Sequence, residues 1–277
     1  MKVCVMGTCR VSTLKTKVIR HINKYMNGGG QSKIYEYNQV KIHTQPITYT
    51  TKLSDVRDCL KYLHGKIYNN IDPNNDINFF KIFFRGIDKK AFDKNMLIKP
   101  NEIIDGNNNN YDLFIFEICS LREIIFKTTK YGKQYYNKNL NWNIDVGSHN
   151  TIDFKKEDFE IIHNDKDRVN KTLEEICILC KNKPILIIGP YLLKKDTISK
   201  TPWGDIDLNK YDYVNQSRKD VQNLLLESIN RFDNIDYFDM SEYVKEGNIL
   251  VDQYHFNKTG KKILSDYILK WIDKHIY

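Results

Sequence analysis

A chain of 277 residues holds either one elaborated α/β domain or two of average size. Hydrophobic residues at 41% and charged residues at 28% are globular proportions, which excludes the disordered and fibrous classes. The 43 Lys and Arg exceed the 35 Asp and Glu to give a net charge of +8, but the excess is spread along the chain with no basic arm, so nucleic acid is not an expected partner. No apolar run approaches the roughly 18 residues of a membrane helix. The opening apolar stretch, residues 2–6, stops at Gly7, too early for a secretory leader. The expectation is a cytoplasmic protein with no membrane partner, in which the six cysteines stay reduced.

Short apolar runs at 2–6, 33–37, 111–117, 184–188 and 235–238 predict five buried parallel strands. The first is followed by Leu14, Val18, Ile22 and Tyr25 at helical spacing, and Gly28 to Gly30 then read as a helix stop and turn ahead of the second strand. Residues 72–110, which carry the apolar run 79–84, break the rhythm and predict an insertion. Residues 128–167, rich in Tyr, Asn and Lys, predict a second one. Helical spacing returns at Leu173, Ile176 and Cys180, ahead of the fourth strand. That strand runs into an irregular stretch, 194–212, with Thr201-Pro202-Trp203-Gly204, a third insertion at a strand's C-terminal end, where loops surround ligands. Val221, Leu225, Ile229 and Phe232 mark a helix before the fifth strand, and Ile263, Leu264, Tyr267 and Trp271 mark the closing one. This alternation predicts an α/β fold: a doubly wound, mainly parallel five-stranded sheet with helices on both faces. With no repeat and no Ser/Pro-rich linker, one domain over 1–277 with three insertions is the expected organisation.

Two local motifs carry chemistry. Met6-Gly7-Thr8-Cys9-Arg10 lies where the first strand ends and a helix is expected to begin. A thiol there feels the positive end of the helix dipole and unpaired amide protons, which favour thiolate and can also stabilise an oxyanion. The alternative is a small residue filling a tight strand-to-helix turn. Asp252-x-x-His255 precedes the last helix. On a turn, that spacing lets the carboxylate accept from one imidazole nitrogen while the other faces a nucleophile. The alternative is a surface histidine near a helix start. In a doubly wound sheet both loops open on the C-terminal edge, so Cys9 and His255 can meet.

Together these blocks resemble the SGNH or GDSL hydrolases. Gly7-Thr8-Cys9-Arg10 is similar to that superfamily's Gly-Asp-Ser block with Cys in place of Ser, and Asp252-x-x-His255 with Gly260 resembles its last block. Cysteine at the nucleophile position is similar to the GSCFA family and to capsule-polysaccharide proteins that handle acyl groups. The resemblance implies an SGNH-like fold and a Cys9-His255-Asp252 triad acting through a thioester. The middle blocks depart from the pattern: no Gly-x-Asn-Asp follows the central strand, which ends in Glu117-Ile118-Cys119-Ser120-Leu121-Arg122. Arg10, Ser120, Arg122, His43 and Trp203 are the candidates for oxyanion or substrate contacts.

Other motifs fail on inspection. Cys177-x-x-Cys180 has the spacing of a metal or redox pair but lies in a helical pattern, so helix core is expected and no metal is. Nucleotide-binding glycine patterns are absent. The leading reading is an esterase acting on an acylated carbohydrate or other small ester, with no cofactor required. A carbohydrate O-acyltransferase using an acyl-coenzyme A thioester shares the same machinery, and a non-catalytic glycan-binding or partner-binding module shares the fold. Nothing in the sequence fixes the oligomeric state.

Overall fold

The computed structural model describes residues 1–7, 20–25, 32–44, 52–64, 111–126, 159–193, 211–246, 249–250 and 255–276. Its strands are β1 (Lys2–Met6), β2 (Arg20–Tyr25), β3 (Ser32–Tyr37), β4 (Val40–Thr44), β5 (Leu113–Glu117), β6 (Arg122–Phe126), β7 (Phe159–His163), β8 (Ile185–Ile188) and β9 (Ile235–Phe238). Its helices are α1 (Leu53–Leu63), α2 (Lys166–Leu179), α3 (Tyr211–Ile229), α4 (Ser241–Glu246) and α5 (Lys258–Lys274).

Seven strands form one sheet in the order β2-β3-β4-β1-β5-β8-β9, and its last five, from β4 to β9, run parallel. Both faces of this parallel part are covered, which is why its strands read as unbroken apolar runs. Along β1 the side chains alternate: Cys4 and Met6 pack with α1, α2 and α3, while Val3 and Val5 pack with α4 and α5. Leu113 and Ile115 of β5 likewise face α5, and Phe114 and Phe116 face α1 and α2. The result is the doubly wound α/β arrangement, with strand order reversing between β1 and β5.

Four details differ from the sequence-based expectation. Residues 20–25 form a strand, not the end of a helix, because pairing with β3 satisfies their backbone. The register slips between His21 and Asn23, and the extra residue breaks the two-residue alternation that would have announced a strand. Gly28 to Gly30, expected as a helix stop and turn, lie outside the described residues. Residues 33–37 belong to β3, which is antiparallel to its neighbours; beside β5, the parallel partner of β1 is β4, which no expected strand covered. Asn38 and Gln39, at φ of 46° and 66°, join β3 to β4 in the left-handed conformation that a tight hairpin needs.

The other two differences concern insertions. The expected insertion 128–167 ends in ordered structure: β7 pairs antiparallel with β6, and Asp165 caps α2 by accepting from the Arg168 amide at 2.9 Å. The stretch 194–212 is shorter than expected, since α3 begins at Tyr211. Residues 72–110, 128–158 and 194–210 lie outside the described residues. Cys177 and Cys180 sit in the core, as the helical pattern implied. Among the described residues no helix is long and apolar enough to cross a membrane.

A buried ionic clasp ties α1 to β6 and α2. Arg57 donates to Asp58 at 2.8 Å and to Glu123 at 3.1 Å, and Lys61 donates to Glu175 at 2.6 Å. Burial pushes the Asp58 carboxyl up to about 7, against the pull of Arg57 beside it. A carboxyl raised in the folded state binds more protons folded than unfolded between its ordinary value of 3.8 and about 7. Its stabilising contribution is therefore full at low pH and declines as pH rises through that window. Asp58→Asn should come closest to the parent in melting temperature below pH 3.8 and gain on it steadily as pH rises to about 7; a difference that stays constant between pH 5 and pH 8 would show that Asp58 is ionised throughout.

Candidate active site

In a doubly wound sheet ligands meet the C-terminal edge of the parallel strands. β1 delivers the chain there at Gly7, flanked by β4 and β5. Cys9 and Arg10, two and three residues further on, lie outside the described residues, as do Asp252 and Trp203. His43 stands in β4, opposite Cys4 of β1 and Ile34 of β3, within the sheet and one residue short of its end.

Across the reversal point, β5 ends at Glu117, which is 1% exposed. The Cys119 thiol donates to its Oε1 at 3.7 Å. Ser120 bridges to Lys52, its carbonyl accepts from the Leu53 amide at 3.3 Å, and its hydroxyl accepts from the Arg122 amide at 3.2 Å. The start of α1 is thereby fixed to the turn that follows β5. Arg122 opens β6 opposite His163 and is half-buried. Ser120 and Arg122 thus share one turn, three and five residues beyond the end of β5, whereas His255 comes in from the far end of the chain.

His255 is half-buried and held at its base. Leu250 and Phe256 form an antiparallel bridge, and the Asn257 amide donates to the Ile249 carbonyl at 2.9 Å. These two contacts form a neck between Ile249-Leu250 and Phe256-Asn257, on either side in sequence of Asp252 and His255. Asn257 caps α5 by accepting from the Gly260 amide at 3.0 Å. A Cβ on Gly260 would lie 2.5 Å from the Ile249 carbonyl oxygen, so the glycine lets the helix start press against that neck. The Phe256 ring, 1% exposed, packs on Tyr191 with centroids 4.9 Å apart, and Tyr191 lies three residues past the end of β8.

The segment carrying Tyr191 is fastened by side chains of α3. Asn215 donates to the Leu193 carbonyl at 2.9 Å and accepts from its amide at 2.8 Å. Arg218 donates to the Tyr191 carbonyl at 3.0 Å, and Gln222 to the Pro190 carbonyl at 2.6 Å. From the start of α4 the Ser241 hydroxyl accepts from the Leu192 amide at 2.9 Å and donates to Asp239 at 2.6 Å. A Cβ on Gly189 would fall onto the Tyr237 hydroxyl, which is why the strand ends in glycine. Sequence reasoning missed this segment. Its signals were the Gly189-Pro190 turn and polar residues 215, 218 and 222 at helical spacing, beside the apolar set of Val221 and Leu225.

No family model matches the chain, and no curated protein matches it. Among the described residues no group of His, Cys, Asp and Glu is arranged to hold a metal ion.

The thiols differ in environment. Burial pushes the Cys177 thiol up, with Asn234 opposing by accepting from it at 3.7 Å, and pushes Cys180 up further, with Cys4 and Cys177 adding to the effect. Protonated, buried thiols react slowly. With limiting iodoacetamide at neutral pH, peptide mass spectrometry should find Cys177 and Cys180 unmodified in the folded protein while Cys9 is alkylated first. Alkylation of Cys9 no faster than that of Cys177 would remove the nucleophile assignment.

Proposed function

We propose that this protein is an SGNH-like acyl-ester hydrolase that works through an acyl-Cys9 intermediate, on an acylated carbohydrate or another small ester. The observation that carries the reading is the place of Phe256, the chain neighbour of His255, which is bridged to Leu250 and packs on Tyr191 at the sheet edge to which Gly7 leads the chain. A doubly wound sheet places ligands at the strand-order reversal, and here that point lies between the end of β1, just before Cys9, and the end of β5.

In this reading His255 takes the Cys9 proton, the thiolate attacks the ester carbonyl, and the protonated imidazole returns the proton to the leaving alcohol. Water then adds to the thioester with His255 as base, releasing the acid and restoring the thiol. Asp252 holds the imidazole in the tautomer that faces Cys9 and favours its charged form. Arg10, Ser120, Arg122 and His43 are the proposed oxyanion or substrate contacts, and Trp203 the proposed sugar-stacking residue. No cofactor enters these steps. A catalytic thiol of this kind suits a reducing compartment, so the reading assigns the protein to the cytoplasm.

With p-nitrophenyl acetate, His255→Ala should cut turnover by roughly a hundredfold or more. Asp252→Asn should also slow it, and Cys9→Ala should abolish the acetyl adduct seen in the intact mass of the parent. Trp203→Ala should weaken use of an acetylated sugar and leave p-nitrophenyl acetate nearly unaffected, since the small ester needs only the reacting groups. Acetylated product formed from acetyl-coenzyme A and a sugar would instead make the protein a transferase. If no substrate is consumed and no adduct forms, the binding-module reading replaces this one.

A further inference from the structure

The buried backbone after β8 connects α3 to the neck beside His255. Tyr191 is at the centre of that connection: it is 1% exposed, its ring lies 4.9 Å from that of Phe256, and Phe256 adjoins His255 in the chain. One guanidinium fixes both parts of Tyr191. Arg218 donates to its carbonyl oxygen at 3.0 Å and lies over its ring, 4.9 Å from the centroid. Asn215 and Gln222 hold the residues on either side, at Leu193 and Pro190, so the tyrosine has little freedom to shift along the edge. Phe256 in turn is bridged to Leu250 across the neck, so a movement of its ring is a movement of the neck.

We propose that Tyr191 is a positioning residue for His255, set in place by Arg218 on the face of α3, and that its packing on Phe256 fixes where the adjoining His255 holds its imidazole. The proposal rests on the assignment of His255 as the general base. Tyr191 acts through Phe256 and makes no contact with substrate in this scheme. Its ring, not its hydroxyl, is the working part, which separates two substitutions: Tyr191→Phe keeps the packing surface and Tyr191→Leu does not.

The test reads His255 itself. Its rate of modification by diethyl pyrocarbonate is measured by peptide mass spectrometry on the full chain, with His163, exposed on β7, as the reference in the same sample. Tyr191→Leu should raise the His255 rate severalfold relative to His163, Tyr191→Phe should keep the parent ratio, and Arg218→Met should raise it by less than Tyr191→Leu. If Tyr191→Leu does not fold, Arg218→Met carries the test. An unchanged ratio in folded Tyr191→Leu and Arg218→Met, or a loss in Tyr191→Phe equal to that in Tyr191→Leu, overturns the proposal. The pH profile of Cys9 alkylation in the same variants separates it from the functional reading. If the His255 rate changes while the Cys9 profile does not, Tyr191 positions His255 but the two residues are not a catalytic pair.

Discussion

The backbone leaving β8 stays buried past its last ladder bond, in which the Gly189 amide donates to the Phe238 carbonyl of β9 at 3.0 Å. Residues 189, 190, 191 and 193 are all buried, and their amides and carbonyls lose water without gaining a ladder partner on the α3 side. A buried peptide group left without a hydrogen bond costs about 1 to 3 kcal/mol. The structure meets this by turning a polar stripe of α3, Asn215, Arg218 and Gln222, inward among apolar neighbours, and by adding Ser241 from the start of α4. Much of the sheet edge follows from that one requirement. Ser241 is itself oriented by Asp239, the position of β9 relative to β8 is fixed there, and Tyr191 becomes a rigid surface on which Phe256 and the start of α5 are built.

Where the sequence was legible, it was because burial on two faces leaves a simple trace. β1, β5, β8 and β9 are short apolar runs, and α2, α3 and α5 repeat apolar residues at helical spacing, so the doubly wound core could be read directly. β4 could not. Val40 and Ile42 are separated by Lys41, so the strand reads as a half-exposed one, and its turn, Asn38-Gln39, takes left-handed conformations without the glycine that usually advertises them. β2 hid behind a register slip that mimics a helical spacing, and α1 behind its ionic residues, since Asp55, Arg57 and Asp58 are buried in a helix that composition marks as a surface one.

The candidate site was legible as two motifs and no more. Gly7-Thr8-Cys9-Arg10 and Asp252-x-x-His255 announce themselves because their chemistry needs particular atoms at particular spacings. What holds them does not. The bridge between Leu250 and Phe256 is a backbone event, the Phe256 and Tyr191 rings come from positions 65 residues apart, and Asn215 reaches Leu193 across 22 residues. Glu117 is similarly opaque: a carboxylate closing an apolar strand looks like a strand end meeting water, whereas it is buried with Cys119 donating to it. Side chains that satisfy distant backbone leave no period and no spacing to read.

The place of β1 in the sheet also governs how the chain can be assembled. It lies between β4 and β5, and its pairing with β5 joins residues about 110 apart, tied again by the Lys2 amide donating to Asp112. During synthesis at ordinary rates, β1 waits on the order of ten seconds before its second neighbour exists. For that interval Val3, Cys4, Val5 and Met6, all buried in the end, can be covered on only one edge. Closing so long a segment makes the central pairing a late, slow step of folding. The centre of the sheet therefore stays half-built until β5 has been made, and its Val3 and Val5 face stays open until the closing helix α5 arrives.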